Sequence, residues 1–112
     1  MYDDRRWLEL IMRLGRVMME SVGDTSLEAF RTDADRVDAA AFRIQHIGEA
    51  AGRLSPALHA RHPDAPWPAM VRMRNILAHA YEEIAPRVLW TVIQNDLRPL
   101  LAICEQEIAR QI

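Results

Sequence analysis

Residues 72–81 bring together the side-chain types that phosphate chemistry requires. They are two arginines, an asparagine, a histidine and a tyrosine: Arg72, Arg74, Asn75, His79 and Tyr81. Imidazole titrates near neutral pH, so it can move a proton to or from a ribose hydroxyl or a leaving oxygen. Guanidinium offers a planar fork to phosphate and stabilises the charge of a transition state. The combination favours phosphodiester cleavage. In that reaction Asn75 can orient the imidazole or donate to phosphate, and Tyr81 can stack on a base or donate a hydrogen bond.

Helical geometry limits how these side chains can cooperate. At 100° per residue, Arg74 and Tyr81 lie ~20° apart around a helix, and Asn75 and His79 lie ~40° apart. Arg74 and His79 are separated by ~140°, so they do not share a face. An Arg–His pair therefore needs a long reach, a distortion of the helix, or a second copy of it. A two-fold dimer supplies that second copy.

The same segment also fits an ordinary amphipathic helix. Apolar Met73, Ile76 and Leu77 alternate with its polar residues at helical spacing. On composition alone, a structural role for the polar side chains stays open.

The histidines outside this segment do not predict a metal site. His59 and His62 are spaced to share a helix face, but a zinc site requires three or four protein ligands and the sequence has no second pair. His46 lies beside an apolar stripe and is interpreted as a boundary residue. We expect no bound metal.

The elements that carry these residues are predicted to be helices. Apolar residues recur at intervals of three and four along the whole chain, and no two-residue alternation typical of strands occurs. The sequence predicts one all-α domain over residues 1–112, an antiparallel bundle of three long and about two short helices. Small residues such as Gly48 and Gly52 on the second long helix allow another helix to approach closely. Pro99 lies inside the last apolar stripe and is expected to kink that helix.

Composition excludes several functional classes. The net charge of −2 and pI of about 6.1 exclude a general basic coat for nucleic acid. All 14 basic residues are arginine, which excludes lysine chemistry such as a Schiff base. Cys104 is the only cysteine, so neither an internal disulfide nor a Cys-x-x-Cys pair is possible. With no signal-peptide pattern and no apolar run long enough to span a bilayer, we expect a cytoplasmic protein.

Charge is unevenly distributed along the chain. Residues 50–81 contain four arginines and one aspartate, a net charge of +3, which leaves −5 for the remainder. The acidic total therefore permits a local phosphate site, which a dimer would present twice.

The motif Arg74-Asn75-x3-His79-x-Tyr81 resembles the Arg-x4-His signature of the HEPN superfamily, in the form found in its HepT-like branch. The likeness extends over nearly the whole chain and keeps the order of that family. Its further segments are residues 47–56, similar to the second helix of the family, residues 66–67 before the motif, and residues 88–90 and 96–100, similar to its final helix.

This resemblance implies a metal-independent ribonuclease toxin of a type VII-like toxin–antitoxin system, acting as a homodimer whose paired motifs form a cleft for RNA. Carried over by position, Arg74 and His79 are catalytic, and Asn75 and Arg72 support them. The implied partner is a minimal nucleotidyltransferase antitoxin of the MntA type, which silences the toxin by transferring AMP to the residue at Tyr81. The added anionic group blocks RNA through charge and volume. No cofactor is implied.

Two other interpretations remain open. The chain can be a non-catalytic module of the same fold that partners a nucleotidyltransferase, or a helical dimer whose polar motif is structural. Glu82 and Glu83 stand where the family often has an aromatic or glycine-containing turn. Two carboxylates facing a cleft would repel an RNA backbone.

Overall fold

The structure is a computed structural model that describes residues 1–110, and every regular element in that range is helical. This confirms the predicted all-α bundle. The helices in chain order are α1 (Asp4–Val22), α2 (Leu27–Arg31), α3 (Ala34–Gly52), α4 (Pro56–Arg61), α5 (Trp67–Ala80), α6 (Pro86–Val92) and α7 (Arg98–Arg110). A 3₁₀ turn (Tyr81–Glu83) follows α5, and a π-helical turn (Ile93–Leu97) joins α6 to α7. The described residues form seven α-helices, more than the three long and about two short helices that the sequence predicts.

Local sequence signals set the ends of most helices. The side chains of Asp3, Ser26, Asp33 and Ser55 each accept a hydrogen bond from the backbone N–H three residues later, at the starts of α1 to α4. Gly23 ends α1. Because these signals are local, the first half of the chain is readable from the sequence alone.

Pro99 does not break the last helical stretch. The chain stays helical from α6 to α7, and the π-helical turn lies directly before Pro99. Pro99 is the second residue of α7, and the widened turn before it accommodates its missing N–H and its ring. The expected distortion therefore takes the form of one widened turn.

The core lies between α1, α3, α5 and α7. Helix α3 packs against both α1 and α5, and α1 also packs against α7. The buried apolar side chains form one cluster, in which Phe30, Ile44, Met70 and Leu100 are fully enclosed. Within residues 1–110, no helix combines the length and the apolar character needed to cross a membrane.

Helices α3 and α5 run antiparallel and approach very closely at Gly48. A Cβ atom added at Gly48 would lie 2.6 Å from the Cβ of Arg74 and 2.6 Å from the carbonyl oxygen of Met70. One turn later, a Cβ at Gly52 would meet only Val71 Cγ2, at 3.8 Å. The predicted close approach therefore occurs, and Gly48 is the position that requires it.

Glu107 ties α7 to the end of α4. It is 2% exposed, and its carboxylate accepts hydrogen bonds from Arg61 at 2.6 and 3.2 Å and bonds His62 Nε2 at 2.6 Å. The Arg61 bonds, opposed by burial and aided by His62, lower the pKa of Glu107 from 4.5 to about 2. His62 thus belongs to a structural ion cluster rather than sharing a site with His59, which stacks on Trp67.

Replacing Gly48 with alanine is expected to lower the free energy of unfolding by about 1–3 kcal/mol, because the new methyl group meets the Met70 carbonyl oxygen and the Arg74 Cβ, which cannot move aside without shifting α5. Gly52→Ala is the matched control on the same helix face. Its methyl has room, and alanine gains up to about 1 kcal/mol of helix propensity over glycine. Urea unfolding of both variants measures the difference. Equal stabilities would contradict a contact at Gly48 tighter than the one at Gly52.

The Glu107 cluster predicts a stability that depends on acid pH. A folded-state pKa below the unfolded value means that the stabilisation is present above about pH 4.5 and is lost as the pH falls toward 2. The shift corresponds to roughly 3 kcal/mol. Urea unfolding between pH 7 and 3 is expected to show that Glu107→Gln costs about this much from pH 7 to about pH 5 and progressively less below about pH 4.5. Glu105→Gln, an exposed change on the same helix, is the control. A constant deficit across that range would refute the linkage.

Candidate active site

Helix α5 presents the motif residues on different sides. Arg72, Asn75 and His79 lie on its exposed face, while its buried face packs into the core through residues such as Met73 and Leu77. Arg74 lies between the two faces, partly buried against α3. The candidate arginine and histidine therefore point in different directions, as the helical spacing predicts.

Arg74 is held by carboxylate and amide oxygens. Its Nη2 atom is 2.9 Å from Glu49 Oε2, and its Nη1 atom donates to Asn75 Oδ1 at 3.0 Å. Glu49 also accepts a hydrogen bond from Arg53 Nε at 3.0 Å, so one carboxylate binds two guanidinium groups. The Nε atom of Arg74 is buried and has no hydrogen-bond partner within residues 1–110. The guanidinium is thus fixed in orientation and partly neutralised by Glu49.

His79 is exposed and forms no hydrogen bond or ion pair with any described residue. Nothing in residues 1–110 fixes its tautomer or ring orientation. Its imidazole is therefore exposed and unpaired within the described residues.

Tyr81 departs from the regular helix that the sequence analysis assumed. Ala80 has φ −145° and ψ 42°, which ends α5, and Tyr81 begins the 3₁₀ turn. The predicted angle of ~20° between Arg74 and Tyr81 is therefore wrong, because it assumes that the helix continues through residue 81. The hydroxyl group of Tyr81 instead donates a hydrogen bond to Asp38 on α3. This bond, with smaller contributions from burial and from the negative charge of Asp38, raises the pKa of Tyr81.

Sequence reasoning did not single out Asp38 and Glu49 as site residues. They are eleven residues apart on α3, which places them ~20° apart on one side of the helix. Each binds one candidate residue, Tyr81 or Arg74 respectively. This spacing was a readable signal, but it required knowing that α3 and α5 are neighbours.

Within one chain, Arg74 and His79 form no contact with each other. Three open depressions of the surface lie along α1, and residues outside 72–81 line all three. The groups that the structure does bring together are the pairs Arg74–Glu49 and Tyr81–Asp38. Among residues 1–110, no group of three or more His, Cys, Asp or Glu side chains is arranged to hold a metal ion. Cys104 is buried, which raises its pKa to about 12 and keeps the thiol protonated.

Comparison with known protein families shows to which family the chain belongs. A family described as "Ribonuclease HepT-like" matches residues 9–107. The chain belongs to this family. The HepT-like chain keeps the whole motif inside the matched region, so the resemblance first seen in residues 72–81 extends from α1 to α7.

Individual relatives agree with the family. A protein of Thermococcus cleftensis named "Probable ribonuclease HepT" is 32% identical over 94 residues, which is 84% of this chain and 86% of the relative. A protein of Caldanaerobacter subterraneus subsp. tengcongensis, whose name provisionally assigns it as an RNase, is 29% identical over 100 residues, 89% of each chain. No solved structure was found to match this chain.

Proposed function

We propose that this HepT-like chain is a ribonuclease and the toxin of a type VII-like toxin–antitoxin system. The observation that carries the proposal is the combination of a guanidinium held in place at Arg74 with an exposed imidazole at His79, in a chain whose relatives are named as ribonucleases. Arg74 binds the scissile phosphate and stabilises its developing charge, and His79 transfers a proton to or from a ribose hydroxyl or the leaving oxygen. Asn75 and Arg72 support phosphate binding on the exposed face of α5.

The active form is proposed to be a homodimer. Arg74 and His79 lie on different sides of α5 and do not contact each other in one chain, so a complete site needs Arg74 of one protomer near His79 of the other. The reaction is proposed to need no metal ion. AMP transfer to Tyr81 by a nucleotidyltransferase antitoxin of the MntA type would place an anionic group beside this site and exclude RNA.

A second function is favoured by the acidic groups near the motif. Glu49 already neutralises Arg74, and Glu82 and Glu83 are exposed in the turn that follows α5. A chain whose arginine is permanently occupied in this way would act as a binding module for a nucleotidyltransferase without cleaving RNA.

An RNA cleavage assay separates the two functions. We expect the wild-type chain to cleave single-stranded RNA in the presence of EDTA, and His79→Ala to reduce the rate by about 10²–10⁴-fold, the usual contribution of a general acid–base group. His46→Ala removes an exposed histidine whose ring packs at a tilt against Phe42 on the same helix, and it is the matched control with unchanged cleavage. Equal rates for wild type and His79→Ala would remove His79 from the mechanism, and no cleavage by wild type would favour the binding module.

Complementation between two inactive variants tests the shared site. Arg74→Ala and His79→Ala chains carrying different tags are co-expressed, and the heterodimer is purified through both tags. If each site takes one residue from each protomer, the heterodimer keeps one intact site of two and about half of the wild-type activity. An inactive heterodimer, formed from folded chains, would place both residues of a site in the same protomer.

A further inference from the structure

A carboxylate on α3 is in direct contact with the hydroxyl group of Tyr81. Asp38 Oδ1 accepts a hydrogen bond from Tyr81 Oη, across 43 positions of sequence. Tyr81 as a whole residue is nevertheless 44% exposed, and its hydrogen bond with Asp38 lies at the protein surface. Asp38 forms no ion pair with an arginine or histidine within residues 1–110, so its negative charge has no internal counterion there. The hydroxyl is thus both accessible and already bonded to a group that can take its proton.

We propose that Asp38 is the base that accepts the phenolic proton when Tyr81 is adenylylated. The inference rests on the proposed modification of Tyr81 and adds to it a catalytic residue contributed by the target chain. In the step, Tyr81 Oη forms a bond to the α-phosphorus of ATP held by the nucleotidyltransferase. The bond from that phosphorus to the bridging oxygen of the β-phosphate breaks, pyrophosphate leaves, and the proton passes to the Asp38 carboxylate. Asp38 then loses the proton to solvent.

Proton removal is the difficult part of this reaction for a tyrosine. A phenol with a pKa near 10 is only about 0.1% ionised at pH 7. The hydrogen bond to Asp38 raises the pKa of Tyr81 further, so a free phenolate is rarer still. The proton must therefore leave while the bond to phosphorus forms, and a base must already be in hydrogen-bond contact with it. Asp38 meets that geometric requirement.

Other titratable groups near Tyr81 do not compete for this role. They are His79 at the end of α5, and Glu82 and Glu83 in the same turn as the tyrosine. None of the three forms a hydrogen bond with Tyr81, whereas Asp38 does. The charge of Asp38 also has a second effect, because a phosphodiester on Tyr81 cannot donate back to the carboxylate and is repelled by it. The modified side chain is therefore released from α3.

Asp38→Asn is the main test variant, because asparagine keeps the size and the hydrogen-bond acceptor but cannot take up a proton at neutral pH. Asp35→Asn is the matched control, since Asp35 is exposed on the same helix, carries the same charge and forms no hydrogen bond or ion pair with described residues. Asp38→Glu restores a carboxylate. Circular dichroism and urea unfolding verify that all three chains fold.

The first measurement needs no partner protein. In a Tyr2→Phe background Tyr81 is the only tyrosine, so the absorbance of phenolate reports its ionisation alone. We expect Asp38→Asn to lower the pKa of Tyr81 toward 10 and Asp35→Asn to change it little. Identical titration curves for the two variants would show that the carboxylate charge of Asp38 does not act on the Tyr81 hydroxyl in solution and would overturn the inference.

The second measurement uses a purified nucleotidyltransferase of the MntA type, with ATP labelled at the α-phosphate. We expect wild type and Asp35→Asn to be labelled on Tyr81, Asp38→Asn to be labelled about 10²-fold more slowly at pH 7 with an unchanged KM for ATP, and Asp38→Glu to recover part of the rate. The ratio of the Asp38→Asn and Asp35→Asn rates is expected to approach one as the pH rises, because phenolate then forms without a base.

The outcomes separate this inference from the proposed function. Equal labelling rates for Asp38→Asn and Asp35→Asn would overturn the role of Asp38 while leaving Tyr81 as the modified residue. A slow Asp38→Asn whose deficit does not change with pH would also overturn it, since that result describes a lost contact surface rather than a lost base. No labelling of wild-type Tyr81 would overturn both, and RNA cleavage by the same preparation would then show that the ribonuclease assignment survives alone.

Discussion

The candidate site depends on the absence of a side chain at Gly48. Because no Cβ occupies that position, the backbone of α5 at Met70 and the Cβ of Arg74 lie directly against α3. This approach brings Arg74 within 2.9 Å of Glu49 and keeps the antiparallel helices close enough for Asp38 to reach Tyr81. A wider separation would leave both acidic residues pointing into solvent. The geometry of the motif therefore depends on α3 as well as α5, although the residues that make the motif recognisable in the sequence lie outside α3.

The two carboxylates of α3 divide the motif into fixed and free groups. Glu49 fixes the guanidinium of Arg74, and Asp38 fixes the hydroxyl of Tyr81. His79 lies between Arg74 and Tyr81 in sequence, and its imidazole has no partner among the described residues. Under the proposed function, the phosphate-binding Arg74 and the modified Tyr81 both gain from a fixed orientation, whereas the proton-transferring His79 needs access to its substrate. The arrangement thus matches a different chemical task for each residue.

The sequence predicts the parts of this molecule that local physics determines. Caps such as Ser55, the proline at the start of α4 and the apolar periodicity identify most helices, and the small residues of α3 indicate a close helix contact. Partners across that contact are not predictable in the same way, because the charge on Glu49 or Asp38 gives no information about which helix it faces. Glu107 shows the same limit, since a carboxylate on an apolar stripe is interpretable only once Arg61 and His62 are seen beside it.

The end of α5 illustrates a second limit. Helical projection assumes that every residue keeps helical dihedral angles, and one residue that departs from them, Ala80, redirects everything after it. The projection therefore places Arg74, Asn75 and His79 correctly relative to one another but not Tyr81. Family membership, in contrast, did not depend on these details, because it follows from segments distributed from α1 to α7.

The ion pair between Arg74 and Glu49 has a consequence for how this chain would respond to ionic strength. Affinity for a nucleic-acid backbone usually falls with salt because each basic side chain releases a condensed counterion from the polymer. At Arg74, a phosphate would have to displace the Glu49 carboxylate. The energy needed to separate the Arg74–Glu49 pair would offset part of the attraction between Arg74 and the phosphate. Exposed Arg72 carries no such internal partner within residues 1–110 and behaves as an ordinary cation. Binding strength would therefore follow the salt concentration mainly through the outer arginine, while the inner one would discriminate by the geometry of the group that replaces Glu49.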